Sequence, residues 1–410
     1  MRGTFVRSGA LSTLSGSLWR SLFAAPGGGP PPEGPGPYGD VGLPDENGVA
    51  LPEGFASRVV ARSGERVGGV AWHAAPDGGA CFADGDGWIY ASNAGIPLLG
   101  GVTALRFAPD GGVRSGYRIL SGTDLNRAGM ATPWNTWLSC EQTPQGQVFE
   151  CDPYGERAPM PRLVMGLFRH HGIACDPVGR VVYLTEGEPD GCFYRFRPDD
   201  WGDLTTGVLE VMVGEPGRED VTWARVPTPA AFEEPTREQV KGARRFDVGD
   251  GCHYSGGVCH LVTRGDGRVW AYDPASERIR VVREGGLAAT DGPARHGGTT
   301  AEGHPYGTGE SGEAPHLFLA EDAGPPMISV IGPSGGVWPF LRLVGQDDVL
   351  ISGPAFAPGG DRLYFSTRRL PSERFSFQRG AGPAEAGVTY EVTGPFGERL
   401  RGRSGSLAPA

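Results

Sequence analysis

The sequence has no long apolar run and a deficit of basic charge, and these two features exclude several classes of protein. No segment reaches the roughly 18 consecutive apolar residues that a membrane-spanning helix requires, so no membrane span is predicted. Acidic residues number 48 against 37 basic ones, which gives a formal net charge of −11. No Lys/Arg cluster is interleaved with aromatic residues, so nucleic acid is not expected as a partner.

Cysteine is scarce and irregularly spaced. The seven cysteines form an odd set without any Cys-x-x-Cys pair, so neither a zinc site nor a dense disulfide framework is indicated. A chain of 410 residues buries enough surface to fold without disulfides. We therefore expect most of the cysteines to be buried free thiols, and their number does not settle the redox compartment.

Turn-forming residues, in contrast, are abundant. Glycine occurs 69 times and proline 37 times, and short apolar runs rich in Val, Leu, Tyr, Phe and Trp lie between them. Turns that combine Asp, Pro and Gly recur along the chain at residues 75–79, 107–112, 151–155, 176–179, 265–267 and 357–361. Such turns join short antiparallel strands, because Gly accepts positive φ and Asp or Pro fixes the first half of the turn. The pattern predicts an all-β fold with at most one short helix, over residues 230–243.

The even spread of these units predicts a β-propeller. A single four-stranded sheet cannot bury both of its faces, whereas sheets arranged radially share their cores and leave few exposed edges. About 360 residues follow residue 50, and blades of roughly 40 to 60 residues make six the expected count and seven the alternative. Two packed sandwiches are a further arrangement that the pattern allows. We expect a monomer.

The N-terminal region is predicted to lie outside the folded domain. Residues 26–45 are rich in Pro and Gly, so residues 1–50 are assigned to a leader or linker, 51–398 to the propeller and 399–410 to a disordered tail. Arg2 and Arg7 flank a short apolar segment in the manner of a degenerate twin-arginine export signal. The protein is therefore expected in the cytoplasm, or outside it if that signal functions.

Several ordered motifs resemble the PhoX-type alkaline phosphatases. The segment TPWNTWLSCEQT (132–143) is similar to that family's TPWGTWLTCEE, and GLFRHHGIA (166–174) with YLTEG (183–187) and FYRFRP (193–198) is similar to GRFKHEAA, YLTED and FYRFxP. Toward the C-terminus, LAED (319–322), PFLR (339–342), SGPAF (352–356) and GVTYEVTGPF (387–396) agree as well. The resemblance runs from about residue 51 to residue 396.

The resemblance implies a propeller whose central site binds iron and calcium and hydrolyses phosphoesters of small molecules. Clustered cations suit this chemistry, because they neutralise the phosphate and activate an oxygen nucleophile. The positions that correspond to the family's ligands or could substitute for them are Asn93, Cys140, Glu141, His171, Glu186, Asp250, Glu321 and Asp322. Arg169 and Arg195 are candidates for orienting the phosphate. We expect the side chains of this set to converge at one end of the central channel.

Five positions depart from the family pattern where that pattern has a carboxylate. The residues found there are Gly95, Gln142, His171, Gly187 and Leu350. Glycine and leucine have no side-chain donor, so the full metal cluster is not expected to assemble. His171 is either a substitute ligand or a hydrogen-bonded strand-end residue.

Three functions remain open from the sequence. The first is a metal-dependent phosphoester hydrolase with a remodelled, impaired site. The second is a propeller without catalysis that binds a small ligand or an interaction partner. The third is a propeller enzyme of different specificity, such as a lactone hydrolase with one calcium, which the architecture alone supports.

Overall fold

The computed structural model describes residues 36–283, 305–306, 316–321, 326–331, 337–346, 349–369 and 386–397. Within these residues the chain forms six antiparallel sheets of four or more strands, here called sheets 1 to 6 in chain order, and one two-stranded ribbon. The predicted all-β class and propeller type are confirmed. A blade count of six stays a prediction.

Sheets 1 to 3 follow one another along the chain. Sheet 1 contains Pro76–Asp84, Gly87–Ala94, Gly100–Phe107 and Val113–Thr123. Sheet 2 contains Asn126–Ala131, Trp137–Glu141, Val148–Cys151 and Met160–Pro161. Sheet 3 contains His170–Asp176, Val181–Glu186, Gly191–Asp200, Asp203–Val213 and Thr222–Arg225, and Arg245–Phe246 pairs with its third strand.

Sheets 4 to 6 continue in the same order, and the last two take strands from the start of the chain. Sheet 4 contains Gly249–Ser255, Val258–Thr263, Arg268–Asp273 and Arg278–Arg283. Sheet 5 contains Pro305–Tyr306, His316–Glu321, Met327–Ile331, Val337–Leu343, Val49–Pro52 and Val41–Pro44. Sheet 6 contains Val349–Phe356, Arg362–Arg369, Gly387–Thr393 and Ala56–Arg62, and the ribbon is Arg66–Val67 with Val70–Ala71.

The hydrophobic core is divided into layers that lie between successive sheets. One layer joins sheets 1 and 2 through residues such as Ile89, Val102 and Trp137, and further layers lie between sheets 2 and 3, 3 and 4, 5 and 6, and 6 and 1. Each fully buried large side chain of this kind contributes about 1.5–3 kcal/mol. This packing of sheet on sheet around a ring is what a propeller requires.

The first strands of successive sheets contact one another and surround the axis. Where His170–Asp176 meets Gly249–Ser255, a Cβ on Gly172 would come within 2.5 Å of the Asp250 carbonyl oxygen. Only glycine allows this approach of the two backbones. The ends of the first strands are thereby held close enough to form a common site.

The ring is closed by pairing the start of the chain with its end. Ala56–Arg62 pairs with Gly387–Thr393 in sheet 6, and Arg58 Nε donates to Glu391 Oε1 at 2.8 Å across this pair. The Glu391 side chain is fully buried and also accepts from Arg362 Nη1 at 2.8 Å. A bidentate guanidinium–carboxylate pair fixes the register of the two strands as well as their contact.

Three local expectations are corrected by the structure. Residues 76–79 belong to the first strand of sheet 1 and not to a turn; Gly79 serves a close approach of strands, because a Cβ there would lie 2.7 Å from the Ala91 carbonyl oxygen. The predicted helix at 230–243 is reduced to the 3-10 turn Thr236–Glu238, which follows Pro235. Residues 41–50, assigned to the leader, contribute to sheet 5 through Val41–Pro44 and Val49–Pro52.

The remaining expectations about the termini lie outside the described residues. These comprise the export-like segment with Arg2 and Arg7, the other leader residues up to 35, and the tail at 399–410. Among the described residues, no helix is long and apolar enough to cross a membrane.

Candidate functional site

A cavity of about 350 Å³ lies where the first strands of the sheets end. Residues of five of the six sheets, or of the loops that join them, line it, which places it on the axis of the ring. The lining residues are Asp77, Leu125, Arg127, Gln142, Arg169, His171, Gly187, Glu188, Asp250, Arg264, Leu350, Ile351, Ser352 and Arg368. Four of the five positions that depart from the family pattern, Gln142, His171, Gly187 and Leu350, are in this set.

The carboxylates of the cavity are each paired with a basic side chain. Arg368 Nε lies 3.1 Å from Asp77 Oδ2, and Arg169 Nε lies 3.1 Å from Glu188 Oε1. His171 Nδ1 lies 3.4 Å from Asp250 Oδ1. These pairs place positive or hydrogen-bond-donating protein groups against the carboxylates that would otherwise attract metal ions.

Arginine is in excess in the cavity. Among the residues that the structure describes, four guanidinium groups line it against three carboxylates. Arg264 has no carboxylate at ion-pair distance among the described residues, although its backbone N–H donates to the Val248 carbonyl oxygen. The described lining therefore carries one more arginine charge than carboxylate charge, in a chain whose formal net charge is −11.

The His171 ring lies directly against Gly187. A Cβ on Gly187 would overlap the His171 ring and lie 2.5 Å from its Nε2. The imidazole therefore fills the position that any side chain at residue 187 would need. In this conformation, the His171 ring and a side chain at residue 187 exclude each other.

Gly95 is covered in a similar way by an arginine. A Cβ there would lie 3.1 Å from Arg127 Cγ, 3.3 Å from Arg127 Nε and 3.5 Å from Asp77 Oδ2. Leu350 in turn pairs across the sheet with Arg368. At three of the departing positions, the side chain beside the missing carboxylate is thus a basic one.

Replacing Gly187 by Ala is expected to destabilise the protein by about 1–3 kcal/mol, because the new methyl group must displace a ring that Asp250 holds. Adding His171→Ala should remove most of this cost, since the space is then free. Urea unfolding of the two single variants and the double variant measures the coupling. Additive effects of the two substitutions would contradict the shared space.

Asn93 and Cys140, two of the predicted ligands, are buried in the protein interior. Asn93 Oδ1 accepts from Trp137 Nε1 at 2.9 Å and from Ser139 Oγ at 2.8 Å, and its Nδ2 donates to two backbone carbonyls of sheet 2. Cys140 is fully buried in the hydrophobic layer between sheets 2 and 3. Neither residue lines the cavity.

The carboxylates of Glu141 and Glu186 also accept hydrogen bonds from other groups of the protein. Glu141 accepts backbone N–H bonds from Asp124 at 2.8 Å and Gln147 at 3.0 Å, and Glu186 accepts from the Tyr194 hydroxyl at 2.8 Å and from Arg237 Nη1 at 3.1 Å. Burial raises the pKa of both carboxyl groups. Their oxygens are used to hold loops and strand ends together.

The other predicted residues divide between the cavity and positions away from it. Asp250, His171 and Arg169 line the cavity, and buried Asp250 Oδ2 has no hydrogen-bond partner among the described residues. Arg195 does not line it: Nε pairs with Glu210 Oε2 at 2.6 Å, and its guanidinium lies 4.5 Å from the centre of the Trp223 ring. Glu321 ends a strand of sheet 5, but its side chain and all of Asp322 lie outside the described residues.

The predicted residues Glu141 and Glu186 lie at strand ends beside the cavity, but in both cases the neighbouring side chain lines it. Glu141 and Glu186 point into the protein, and the residues that follow them, Gln142 and Gly187, face the cavity. This is the alternation of a β-strand. Five further lining residues were not predicted, because nothing in their local sequence distinguishes them from ordinary strand or loop residues: Asp77, Arg127, Glu188, Arg264 and Arg368.

His170 is a structural residue beside the site. Its ring is fully buried, lies against Phe168, and has Nε2 at 3.2 Å from the Gly166 carbonyl oxygen. Burial lowers its pKa to about 3.

The buried His170 should make the protein sensitive to acid. A histidine whose folded pKa is depressed is neutral in the folded state and binds a proton on unfolding, so stability falls as the pH drops from about 6.5 toward 3. Over this pH range the free energy of unfolding falls by about 1.4 kcal/mol per pH unit. Thermal unfolding of the wild type and His170→Gln between pH 7 and pH 5 tests this, and equal pH slopes for the two proteins would contradict it.

The described residues do not fit an iron–calcium cluster. No group of three His, Cys, Asp or Glu side chains in this part of the chain is placed to hold a metal ion. The cavity carboxylates already have basic partners, and Gly187 and Leu350 offer no donor. Hard cations need several oxygen ligands around each ion, whereas guanidinium groups repel them.

Comparison with known proteins agrees with the motifs. A family model described as "Alkaline phosphatase PhoX" matches residues 143–249. The structure is similar to that of Pseudomonas fluorescens PhoX in complex with vanadate, a transition state analogue, with a TM-score of 0.63 and 16% sequence identity. The match covers 87% of this chain and 98% of that one. The resemblance to PhoX is confirmed, and the structural likeness establishes a common fold.

More distant structures share less. A Bacteroides thetaiotaomicron protein of unknown function matches with a TM-score of 0.45 and 10% identity over 84% of this chain and 78% of that one. The RRP9 WD40 repeats match with a TM-score of 0.46 and 11% identity over 87% and 99%. No curated protein matches the chain in sequence.

Proposed function

We propose that this PhoX-like propeller binds a phosphorylated small molecule in its central cavity, and that arginine side chains hold the phosphate where relatives would use iron and calcium. The observation that carries the proposal is the set of four arginines, Arg127, Arg169, Arg264 and Arg368, around one cavity on the propeller axis. Metal-dependent hydrolysis of phosphoesters is then weak or absent.

The chemistry of the cavity suits a phosphate dianion. Guanidinium groups match the spacing of phosphate oxygens and bind them through two parallel N–H donors. Each charge-assisted hydrogen bond of this kind contributes about 1.5–3 kcal/mol. The pairs with Asp77 and Glu188 fix Arg368 and Arg169 in place before the ligand arrives, which lowers the entropy cost of binding.

The size of the cavity favours a small molecule. About 350 Å³ lies at the lower end of the range for ligand pockets, which is roughly 300–1,000 Å³. The uncharged lining residues Leu125, Leu350 and Ile351 offer an apolar surface for the rest of the ligand. A phosphomonoester with a compact organic group fits this combination of charge and volume.

Isothermal titration calorimetry with inorganic phosphate tests the proposal. The full-length protein is treated with a chelator, freed of metal, and titrated with and without added iron and calcium. Binding of phosphate to the metal-free protein, with an affinity that metals do not change, is the expected result. Binding that appears only after metals are added would overturn the proposal in favour of a metal-dependent hydrolase.

A further inference from the structure

The His171–Asp250 pair is arranged for a reaction that needs no metal. His171 lines the arginine-rich cavity and is only 9% exposed. Its Nδ1 faces Asp250 Oδ1 at 3.4 Å, so Asp250 selects the tautomer with the proton on Nδ1 and leaves the Nε2 lone pair available. Among the described residues, Nε2 has no hydrogen-bond partner of its own.

The surroundings hold this ring in one orientation. A Cβ on Gly187 would lie 2.5 Å from Nε2, so the glycine keeps this edge of the ring free of a covering side chain. The Thr185 hydroxyl donates to the backbone carbonyl oxygen of Asp250, which anchors the strand that carries the carboxylate. A nucleophile fixed in this way reacts more readily than a free imidazole.

We propose that His171 is the nucleophile of a metal-independent phosphoryl transfer, a step that rests on the proposed binding of a phosphomonoester in this cavity. Nε2 of His171 forms a bond to phosphorus while the ester P–O bond breaks. The electron pair of that bond goes to the leaving oxygen, which takes a proton from solvent. The ring now carries a positive charge, and the facing Asp250 carboxylate stabilises it.

Water completes the cycle. A water oxygen attacks the phosphorus of phosphohistidine, the P–N bond breaks, and its electron pair returns to Nε2. Inorganic phosphate leaves and one proton returns to solvent, so the sum is the hydrolysis of a phosphomonoester by one water molecule. The cavity arginines stabilise the negative charge of the transferring group in both steps.

The assignment explains why one histidine replaces two carboxylates. Carboxylates at 171 and 187 would serve to bind cations, and a phosphate dianion would be repelled by them without those cations. An imidazole beside a glycine carries no negative charge and supplies a nucleophile. Asp250 acts through His171 and is a positioning residue.

The experiment uses the chelator-treated full chain and p-nitrophenyl phosphate. The reaction is quenched at alkaline pH, where phosphohistidine survives, and the protein is analysed by intact mass spectrometry and peptide mapping. The wild type should carry one added phosphoryl group on His171. His171→Asn, which keeps an N–H donor toward Asp250 but lacks Nε2, should carry none and should lose metal-free turnover.

Two further variants separate mechanism from folding. Asp250→Asn should still bind phosphate, because it removes a negative charge from the cavity, but should form the phosphoryl adduct at least about tenfold more slowly, because the tautomer of His171 is no longer fixed. His253 lies on the strand that carries Asp250 but does not line the cavity. His253→Ala should therefore leave adduct formation unchanged.

The possible failures are distinguishable. If the metal-free wild type and His171→Asn both bind inorganic phosphate in calorimetry but the wild type forms no adduct, the nucleophile assignment is overturned and the binding proposal stands. Turnover that persists in His171→Asn, or that depends on His171 without any adduct, overturns it as well. If phosphate does not bind the wild type, the proposed function itself fails.

Discussion

Replacing Arg264 by Glu is expected to weaken the binding of inorganic phosphate to the metal-free protein by about 100-fold or more. Removing one charge-assisted bond costs about 1.5–3 kcal/mol, and the new carboxylate adds repulsion. A cost of about 3 kcal/mol or more corresponds to more than 100-fold in Kd. Arg264→Ala should give a smaller loss of about 10-fold to 100-fold.

Arg264 makes this test specific. It lines the cavity but holds no carboxylate among the described residues, so its substitution leaves the Asp77–Arg368 and Glu188–Arg169 pairs in place. Arg197→Glu is the matched control, because it introduces the same charge change on an exposed residue of sheet 3. Equal weakening in the two variants would mean that only the net charge of the protein matters, and the cavity would then not be the binding site.

Adding iron and calcium is expected to leave phosphomonoester turnover at its metal-free level. The reason is that five positions where the family pattern has carboxylates carry other residues, namely Gly95, Gln142, His171, Gly187 and Leu350. Loss of even one outer partner lowers metal affinity or activity by about 10-fold to 100-fold, and several losses in one site multiply to about 1,000-fold or more. Assays with a chromogenic phosphomonoester across neutral to alkaline pH, with and without metals, measure this.

Cys140→Ala and Glu141→Ala provide the decisive variants for the metal question. In this structure Cys140 is a core thiol and Glu141 holds two backbone N–H groups, so their loss should lower the unfolding temperature without changing phosphate affinity. Robust metal-stimulated turnover that either substitution abolishes would contradict the account. It would mean that a smaller cluster assembles despite the altered positions.

The fold was predictable because its signals are local and repeated. The turns at 107–112, 151–155, 176–179, 265–267 and 357–361 are present. In the turn at 176–179, Asp176 Oδ1 accepts hydrogen bonds from the Val178 and Gly179 N–H groups. The turn predicted at 75–79 is absent, because glycine is also needed where neighbouring strands approach each other closely near the axis. The contribution of residues 41–52 to sheet 5 involves partners almost 300 residues away, which no local pattern reveals.

The site was only partly predictable for a related reason. Motif matching identified the strand ends around Cys140, His171, Glu186 and Asp250, and of these His171 and Asp250 face the cavity. Which side chain faces the axis depends on strand phase, and a shift of one residue exchanges Glu186 for Gly187. The arginines could not be assigned, because Arg127, Arg264 and Arg368 become neighbours only when the ring closes.

A crystal structure of the full-length protein grown with inorganic phosphate, iron and calcium, with anomalous scattering recorded at the iron edge, tests the central claim most directly. The account predicts a phosphate ion in the central cavity bonded to guanidinium groups that include Arg264, with no iron peak beside it. An iron or calcium ion between the phosphate and the protein, with Cys140 or Glu141 among its ligands, would contradict it.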